Sequence, residues 1–203
     1  MNPLRFAGVV PASGVSRRMG SPKAALMLGD SSFLERAVRA LRDGGCDPVY
    51  VIVDETDVVV VREAERTGAT VVRNPDPGEG PITSLRLAIR AASPDIDGIA
   101  YLPLDYPLVE AQTVSRLIDE AIESDAPLTL PVHGAKRGHP ALFRRRLFDE
   151  LVDPALEGGA RIVVHRYLDR ARIVDWPDAT VITDVDTPAD YELLRSNGND
   201  QAP

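Results

Sequence analysis

Three short stretches of the 203-residue sequence carry residue types that can handle phosphate and metal. The first is "VVPASGVSRRMGSPK", residues 9–23. Gly14 and Gly20 bracket five residues, and Lys23 comes three later. Glycines let backbone N–H groups approach phosphate oxygens closely. Arg17, Arg18 and Lys23 bring positive charge, and an arginine can grip phosphate with a two-pronged hydrogen bond. The spacing excludes the dinucleotide fingerprint G-x-G-x-x-G. It also excludes the P-loop, where lysine directly follows the second glycine. The same residues also suit a plain strand-to-helix connection with solvated basic side chains.

The second stretch is "GIAYLPLDYPLV", an apolar run ending in Asp105 with Pro107 two residues on. A carboxylate at a strand's carboxyl end is placed to hold a metal bound to a ligand's phosphates. Mg²⁺ takes one or two carboxylates together with phosphate oxygens and water. Asp and Pro are also ordinary turn residues. The third stretch, "TDVDTPADYELL", offers Asp184 and Asp186. Here Thr187 and Asp190 also fit a capping box, with Pro188 in the first helical turn, so the stretch reads equally well as the start of the last helix.

The elements that must position these residues alternate. The strand candidates are "FAGVVPA", "VYVIV", "TVV", "GIAYLPL", "LTLPV", "ARIV" and "TVIT". Amphipathic helical patterns lie between them. In "SSFLERAVRALRDGG", Phe33, Leu34, Ala37, Val38 and Leu41 share a face, with Ser32 and Glu35 as a capping box and Gly44–Gly45 as the stop. In "TSLRLAIRAA" the face is Leu85, Ala88, Ile89 and Ala92; in "TVSRLIDEAI" it is Val114, Leu117, Ile118, Ala121 and Ile122. "VVVVREAERTG" reads both ways, its valines favouring a strand and its context a helix. Strand–helix alternation implies an α/β fold with a mostly parallel sheet and helices on both faces. Ligands then bind beyond the carboxyl ends of the strands. A single domain is expected over residues 1–195, with a polar, frayed tail at 196–203.

Composition narrows the class. Hydrophobic residues make up 44% and charged residues 27% of the chain, as in globular proteins. Acidic residues outnumber basic ones 31 to 23, a net charge of −8 that argues against nucleic-acid binding, so an anionic ligand needs a local positive patch. One cysteine, Cys46, allows no intrachain disulfide and reads as a small buried hydrophobe. No apolar stretch approaches the ~18–20 residues that span a bilayer, and the apolar run before Pro11 is too short for a signal sequence. The expectation is a cytoplasmic protein with no membrane partner. "RRR" at 144–146 reads as a solvated helix face, Phe143 as core and Trp176 as packing; His133 and His165 receive no role.

"VVPASGVSRRMGSPK" resembles the L-A-A-G-x-x-x-R-M-G-x-x-K signature of nucleotidyltransferases similar to the molybdenum-cofactor guanylyl- and cytidylyltransferases, the MobA-like family. Gly14, Arg18, Met19, Gly20 and Lys23 fall at the family spacing. The resemblance implies a three-layer Rossmann-like nucleotidyltransferase fold. It implies Mg²⁺-dependent transfer of a nucleoside monophosphate to a phosphate-bearing acceptor such as molybdopterin, with pyrophosphate released. It further implies that Ala12, Ser13, Gly14, Arg18, Gly20 and Lys23 hold the nucleotide and that Arg18 and Lys23 neutralise the departing pyrophosphate. Leu102, Asp105 and Pro107 match the family's L-x-x-D-x-P element, which makes Asp105 a catalytic metal ligand. The D-x-D-T-P-x-D element makes Asp186 a second ligand. Gly80 and Ser84 match G-x-x-x-S-L, near the ribose and base. Gly138, His139 and Pro140 match G-H-P-x-x-F of the cytidylyl branch, on the acceptor side, and tilt the base toward CTP with GTP as the other candidate. Delivery to a molybdoenzyme or its chaperone is a further partner the resemblance suggests.

Two positions depart from the pattern. Pro11 stands where leucine is usual. Ser13 stands where the cytidylyl type has alanine and the guanylyl type glycine. Alternatives that keep the motifs are a sugar phosphate or other phosphorylated metabolite as acceptor, and a nucleotide-binding relative without turnover.

Overall fold

A computed structural model describes residues 4–14 and 21–199. Ten strands lie among them: β1 (Phe6–Ala12), β2 (Met27–Leu28), β3 (Ser31–Ser32), β4 (Cys46–Asp54), β5 (Thr70–Asn74), β6 (Gly98–Tyr101), β7 (Leu128–His133), β8 (Lys136–Arg137), β9 (Ala141–Arg144) and β10 (Arg172–Asp175). The α-helices are α1 (Phe33–Asp43), α2 (Val58–Arg66), α3 (Pro81–Ala91), α4 (Ala111–Ser124), α5 (Phe148–Val152), α6 (Ala160–Arg166) and α7 (Pro188–Asn199). Eight strands form one sheet in the order β10-β7-β9-β6-β1-β4-β5, with β8 paired to β7, while β2 and β3 form a separate hairpin. β1 runs parallel to β4 and β6, β4 to β5, and β7 to β10. β9 runs antiparallel to both β6 and β7. The mostly parallel sheet is therefore present, with β8 and β9 reversed. That reversal follows from the tight β7–β8 return, which needs no helical crossover.

The two-residue period of the strands sorts the core into two layers. Val10, Val51, Val53, Ala100 and Leu142 pack with the apolar faces of α1, α2 and α4. Ala7, Val9, Ile52, Ile99 and Phe143 pack on the other face with Leu85 and Ala88 of α3, Phe148 and Leu151 of α5 and Val163 of α6. The result is the three-layer arrangement expected of a nucleotidyltransferase.

Local chemistry sets the helix ends. Ser32 accepts from the Glu35 amide and the Glu35 carboxylate accepts from the Ser32 amide, the capping box read from sequence. Gly44 ends α1 where a Cβ would lie 2.4 Å from that of Val114, so α1 and α4 approach closely only with glycine there. "VVVVREAERTG" is a helix, because Asp57 Oδ1 accepts from the amides of Val59 and Val60 and starts α2. An N-cap overrides the strand preference of the valines.

Several expectations are corrected. "TVIT" is not a strand: Asp178 caps the Thr180 amide, and residues 179–181 form a single 3-10 turn. "GIAYLPL" is a strand only to Tyr101, before Pro103. "ARIV" occurs twice, once opening α6 and once overlapping β10, so tertiary context decides its state. The three arginines are not a solvated helix face. Arg144 ends β9 and pairs with Asp125, Arg145 donates to the Ile96 carbonyl, and Arg146 pairs with Asp125. Ile122 is on the exposed side of α4, and Ile118 is only partly buried. Cys46 is buried, and that burial pushes its thiol up to about 12.

Pro11 has a structural account. The Val9 carbonyl accepts from the Leu102 amide, so Val9 turns its polar groups toward β6. Pro11, two residues on, faces the same side, but the last β1–β6 pair is Val9 with Tyr101. The missing donor falls where β6 has already left the sheet, a position that tolerates proline even in a central strand.

Candidate active site

The carboxyl ends of β1 and β6 bring the first two sequence stretches together. Lys23 opens a 3-10 turn, Lys23–Ala25, which follows β1 in the chain after the glycine-containing stretch. A cleft of about 170 Å³ is lined by Pro11, Ala12, Gly14, Lys23, Val60 and Asp105 among others. The third stretch joins them: Lys23 Nζ and Asp186 Oδ1 are 2.6 Å apart, across 163 positions of sequence. The Val185 amide donates to the Asp105 carbonyl at 2.8 Å, which ties the segment before α7 to the loop after β6. Asp105, Asp186 and Lys23 thus share one site. Arg17, Arg18 and Gly20 lie outside the described residues.

The electrostatics of Asp105 reflect this crowding. Burial raises its carboxyl above the ordinary range, the Lys23 ammonium pulls it back down, and Asp186 and Asp184 raise it further. Tyr106, the next residue, is pushed up to about 12 by burial and by Asp184, Asp105 and Asp186, so its hydroxyl stays neutral. Among the described residues no group of three or more His, Cys, Asp or Glu side chains converges as a ready-made metal cage. Asp186 is not the cap of α7. Thr187 and Asp190 form that capping box between themselves, which leaves the Asp186 carboxylate directed to Lys23.

On the β5 side of β1 lies a buried polar cluster. Ser13 Oγ is 3.0 Å from Ser84 Oγ, and Asn74 Nδ2 donates to Ser13 Oγ at 3.3 Å. All three residues are buried. Asn74 Oδ1 accepts from the Asp76 amide, which shapes the turn leading to Gly80. Gly80 has φ +89° and precedes α3, with Pro81 in the first turn. Ser13 and Ser84 are therefore brought together, with their hydroxyls engaged on each other and on Asn74. Sequence reasoning did not single out Asn74. The available signal was an amide residue at the end of "TVVRN", just before "PDPG".

Gly138, His139 and Pro140 form the link between β8 and β9. A Cβ on Gly138 would lie 2.2 Å from the Val181 carbonyl oxygen. The His139 amide donates to that same oxygen. The His139 ring packs against Tyr106, with centroids 4.5 Å apart, and against Tyr101 at 6.3 Å. Its Nδ1 is sealed from solvent and has no partner, and burial lowers its pKa to about 4. His133, given no role from sequence, has Nδ1 2.9 Å from the Trp176 carbonyl. Trp176 lies under the Arg116 guanidinium.

Residues 8–173 match the MobA-like NTP transferase domain. The chain belongs to that family. It is a nucleotidyltransferase. A probable molybdenum cofactor guanylyltransferase of Mycobacterium avium is 30% identical over 196 residues, covering 94% of this chain and 95% of the relative. The crystal structure of the Rv0371c homologue from Mycobacterium sp. strain JC1 superposes with a TM-score of 0.84 at 30% identity, covering 98% of this chain and all of that one. Rv0371c of Mycobacterium tuberculosis in complex with manganese superposes at 0.77 with 28% identity, covering 95% of this chain and 98% of that one. Among the described residues, no helix of the chain is long and apolar enough to cross a membrane.

Proposed function

We propose that the enzyme transfers CMP from CTP to a phosphate-bearing acceptor of the molybdopterin type and releases pyrophosphate. The observation that carries this reading is the meeting of Lys23 and Asp186 beside Asp105, at the end of a glycine-rich loop. A cation and carboxylates from three distant stretches converge on one cleft, the arrangement suited to handling a charged ligand. Family membership and the names of the curated relatives support the reaction class and the acceptor.

A divalent cation fits this donor set. Mg²⁺ needs one or two carboxylates with phosphate oxygens and water, and Asp105 with Asp186 offers that number. The manganese complex of the structural neighbour supports a divalent ion in such a protein. When bound, the ion supplies charge neutralisation to the triphosphate oxygens. The chain's own residues do the rest. Lys23 exchanges the Asp186 carboxylate for phosphate oxygens and stabilises the charge on pyrophosphate as it leaves. Arg18 adds a second cation from the loop. Gly14 and Gly80 keep the backbone close to the ligand. The acceptor phosphate is already ionised at neutral pH, so no general base is required, in keeping with a neutral, partly buried His139. Catalysis is then positioning plus electrostatics.

The G-H-P-x-x-F element at Gly138, His139 and Pro140 supports CTP, while Ser13 departs from both branch patterns. Its side chain carries a Cβ, as alanine does in the cytidylyl type, and its hydroxyl is tied to Ser84 and Asn74. A second reading takes GTP, because the curated relatives are named guanylyltransferases. A thermal-shift comparison of CTP and GTP with Mg²⁺ separates the two. A ligand at 100 times its Kd adds about 2.7 kcal/mol, which is a shift of roughly 5–10 °C for a domain of this size. A shift with CTP alone supports the first reading, a shift with GTP alone the second, and no shift with either rules out both.

A further inference from the structure

His139 sits in a closed circuit of contacts around the carboxylates. Its ring packs on Tyr106, the residue after Asp105, at 4.5 Å between centroids. Its amide donates to the Val181 carbonyl at 2.9 Å. Four residues on, the Val185 amide donates to the Asp105 carbonyl, and Asp186 follows directly. The circuit runs from His139 to Tyr106 and Asp105, across to Val185, back along the segment to Val181, and returns to His139. Gly138 locks the corner, since any side chain there would strike the Val181 carbonyl.

We infer that His139 is a positioning residue: its ring braces Tyr106 while its amide anchors the segment that ends in Asp186, so that one residue fixes Asp105 and Asp186 relative to each other. It acts through these neighbours and touches neither nucleotide nor acceptor. The sealed, unpartnered Nδ1 is the observation that separates this role from a grip on an acceptor phosphate. Nδ1 is closed off from solvent, and the ring's polar contact is to the Tyr101 backbone, so the imidazole is held by the protein wall rather than by a ligand. Burial also keeps the ring neutral, with a pKa of about 4, so it has no charge to offer a phosphate at neutral pH. What the site uses is the flat ring, wedged between Tyr101 and Tyr106.

The inference rests on the reading that Asp105 holds a divalent ion. The test is direct Mn²⁺ binding to the full chain in the presence of CTP, read by electron paramagnetic resonance, alongside initial-rate kinetics of pyrophosphate release with Mn²⁺, CTP and acceptor each varied. The variants are His139→Ala, His139→Phe and Asp105→Asn, each checked for folding by circular dichroism. Loss of an outer residue that orients metal ligands typically costs about 10–100-fold in metal affinity. His139→Ala should raise the half-saturating Mn²⁺ concentration by that factor with the acceptor KM little changed. His139→Phe, which keeps a flat ring and no titratable nitrogen, should restore the Mn²⁺ requirement. A general packing defect lowers the active fraction and leaves the Mn²⁺ requirement in place, so that result overturns the inference. A raised acceptor KM in His139→Phe, with normal Mn²⁺ dependence, also overturns it and returns His139 to the acceptor side. An Asp105→Asn variant with unaltered Mn²⁺ dependence would show instead that the underlying metal assignment is wrong, and the inference falls with it.

Discussion

Replacing Lys23 with methionine separates chemistry from stability. The aliphatic stem is kept and only the charge is removed. In the structure the ammonium is 2.6 Å from Asp186, whose side chain is 50% exposed. The Lys23 side chain is 17% exposed, so solvent screens the pair from the Asp186 side, and its contribution is on the order of 1 kcal/mol. For a domain of this size, 1 kcal/mol moves Tm by about 2–4 °C. Lys23→Met should therefore melt within about 4 °C of the parent protein. Its effect on rate should be far larger. Removing one preorganised charge donor costs about 10²–10³ in turnover, equivalent to about 2.7–4 kcal/mol. The assay is pyrophosphate release under saturating nucleotide, with Tm measured on the same preparation. A second signature comes from Asp105. Lys23 pulls the Asp105 carboxyl down against the rise caused by burial, so removing Lys23 should move the acid limb of the residual activity to higher pH. Near-normal turnover refutes the role of Lys23. A Tm drop well beyond 4 °C with activity lost in proportion to folded protein would show that the ion pair is structural.

Other perturbations follow from the same coordinates. Gly138→Ala forces a Cβ to within 2.2 Å of the Val181 oxygen, an overpacking that costs about 1–3 kcal/mol and should lower Tm by roughly 2–12 °C in calorimetry. Ser13→Ala leaves the buried Asn74 amide and Ser84 hydroxyl without Ser13 as a partner, which should cost about 1–3 kcal/mol in urea unfolding. Stability should also depend on pH through His139. Its folded pKa of about 4 lies below the ordinary value of 6.5, so its contribution is complete above 6.5 and is lost as pH falls toward 4. The slope from this one group is at most about 1.4 kcal/mol per pH unit, and His139→Phe should remove it from a series of urea titrations.

Sequence periodicity and caps carried much of the fold. The limits of β1 and the face of α1 follow from alternation, 3.6-residue spacing and the Ser32–Glu35 box, all of which are local. Contacts remote in sequence were not legible. "TVIT" has strand composition, yet Asp178 caps a turn there and the Val181 carbonyl is used by His139. "RRR" has surface composition, yet its guanidinium groups close on Asp125 and Ile96, partners supplied by the far ends of α4 and the turn before β6. In the site, the spacing of the loop and of "LPLDYP" pointed to Lys23 and Asp105. The pairing of Lys23 with Asp186 joins positions 163 apart in sequence and depends on how the segment before α7 docks. Asn74 and Tyr106 gain their significance only from neighbours brought by other strands.

The most direct measurement of the central claim is product formation itself. The purified enzyme is incubated with CTP, Mg²⁺ and molybdopterin, and the reaction is followed by mass spectrometry of the acceptor and by pyrophosphate release, with Asp105→Asn in parallel. The account predicts a CMP-bearing acceptor and one pyrophosphate per transfer, with the rate reduced by at least about 10² in the variant. An unmodified acceptor with every triphosphate supplied, or equal rates for the two proteins, would contradict it.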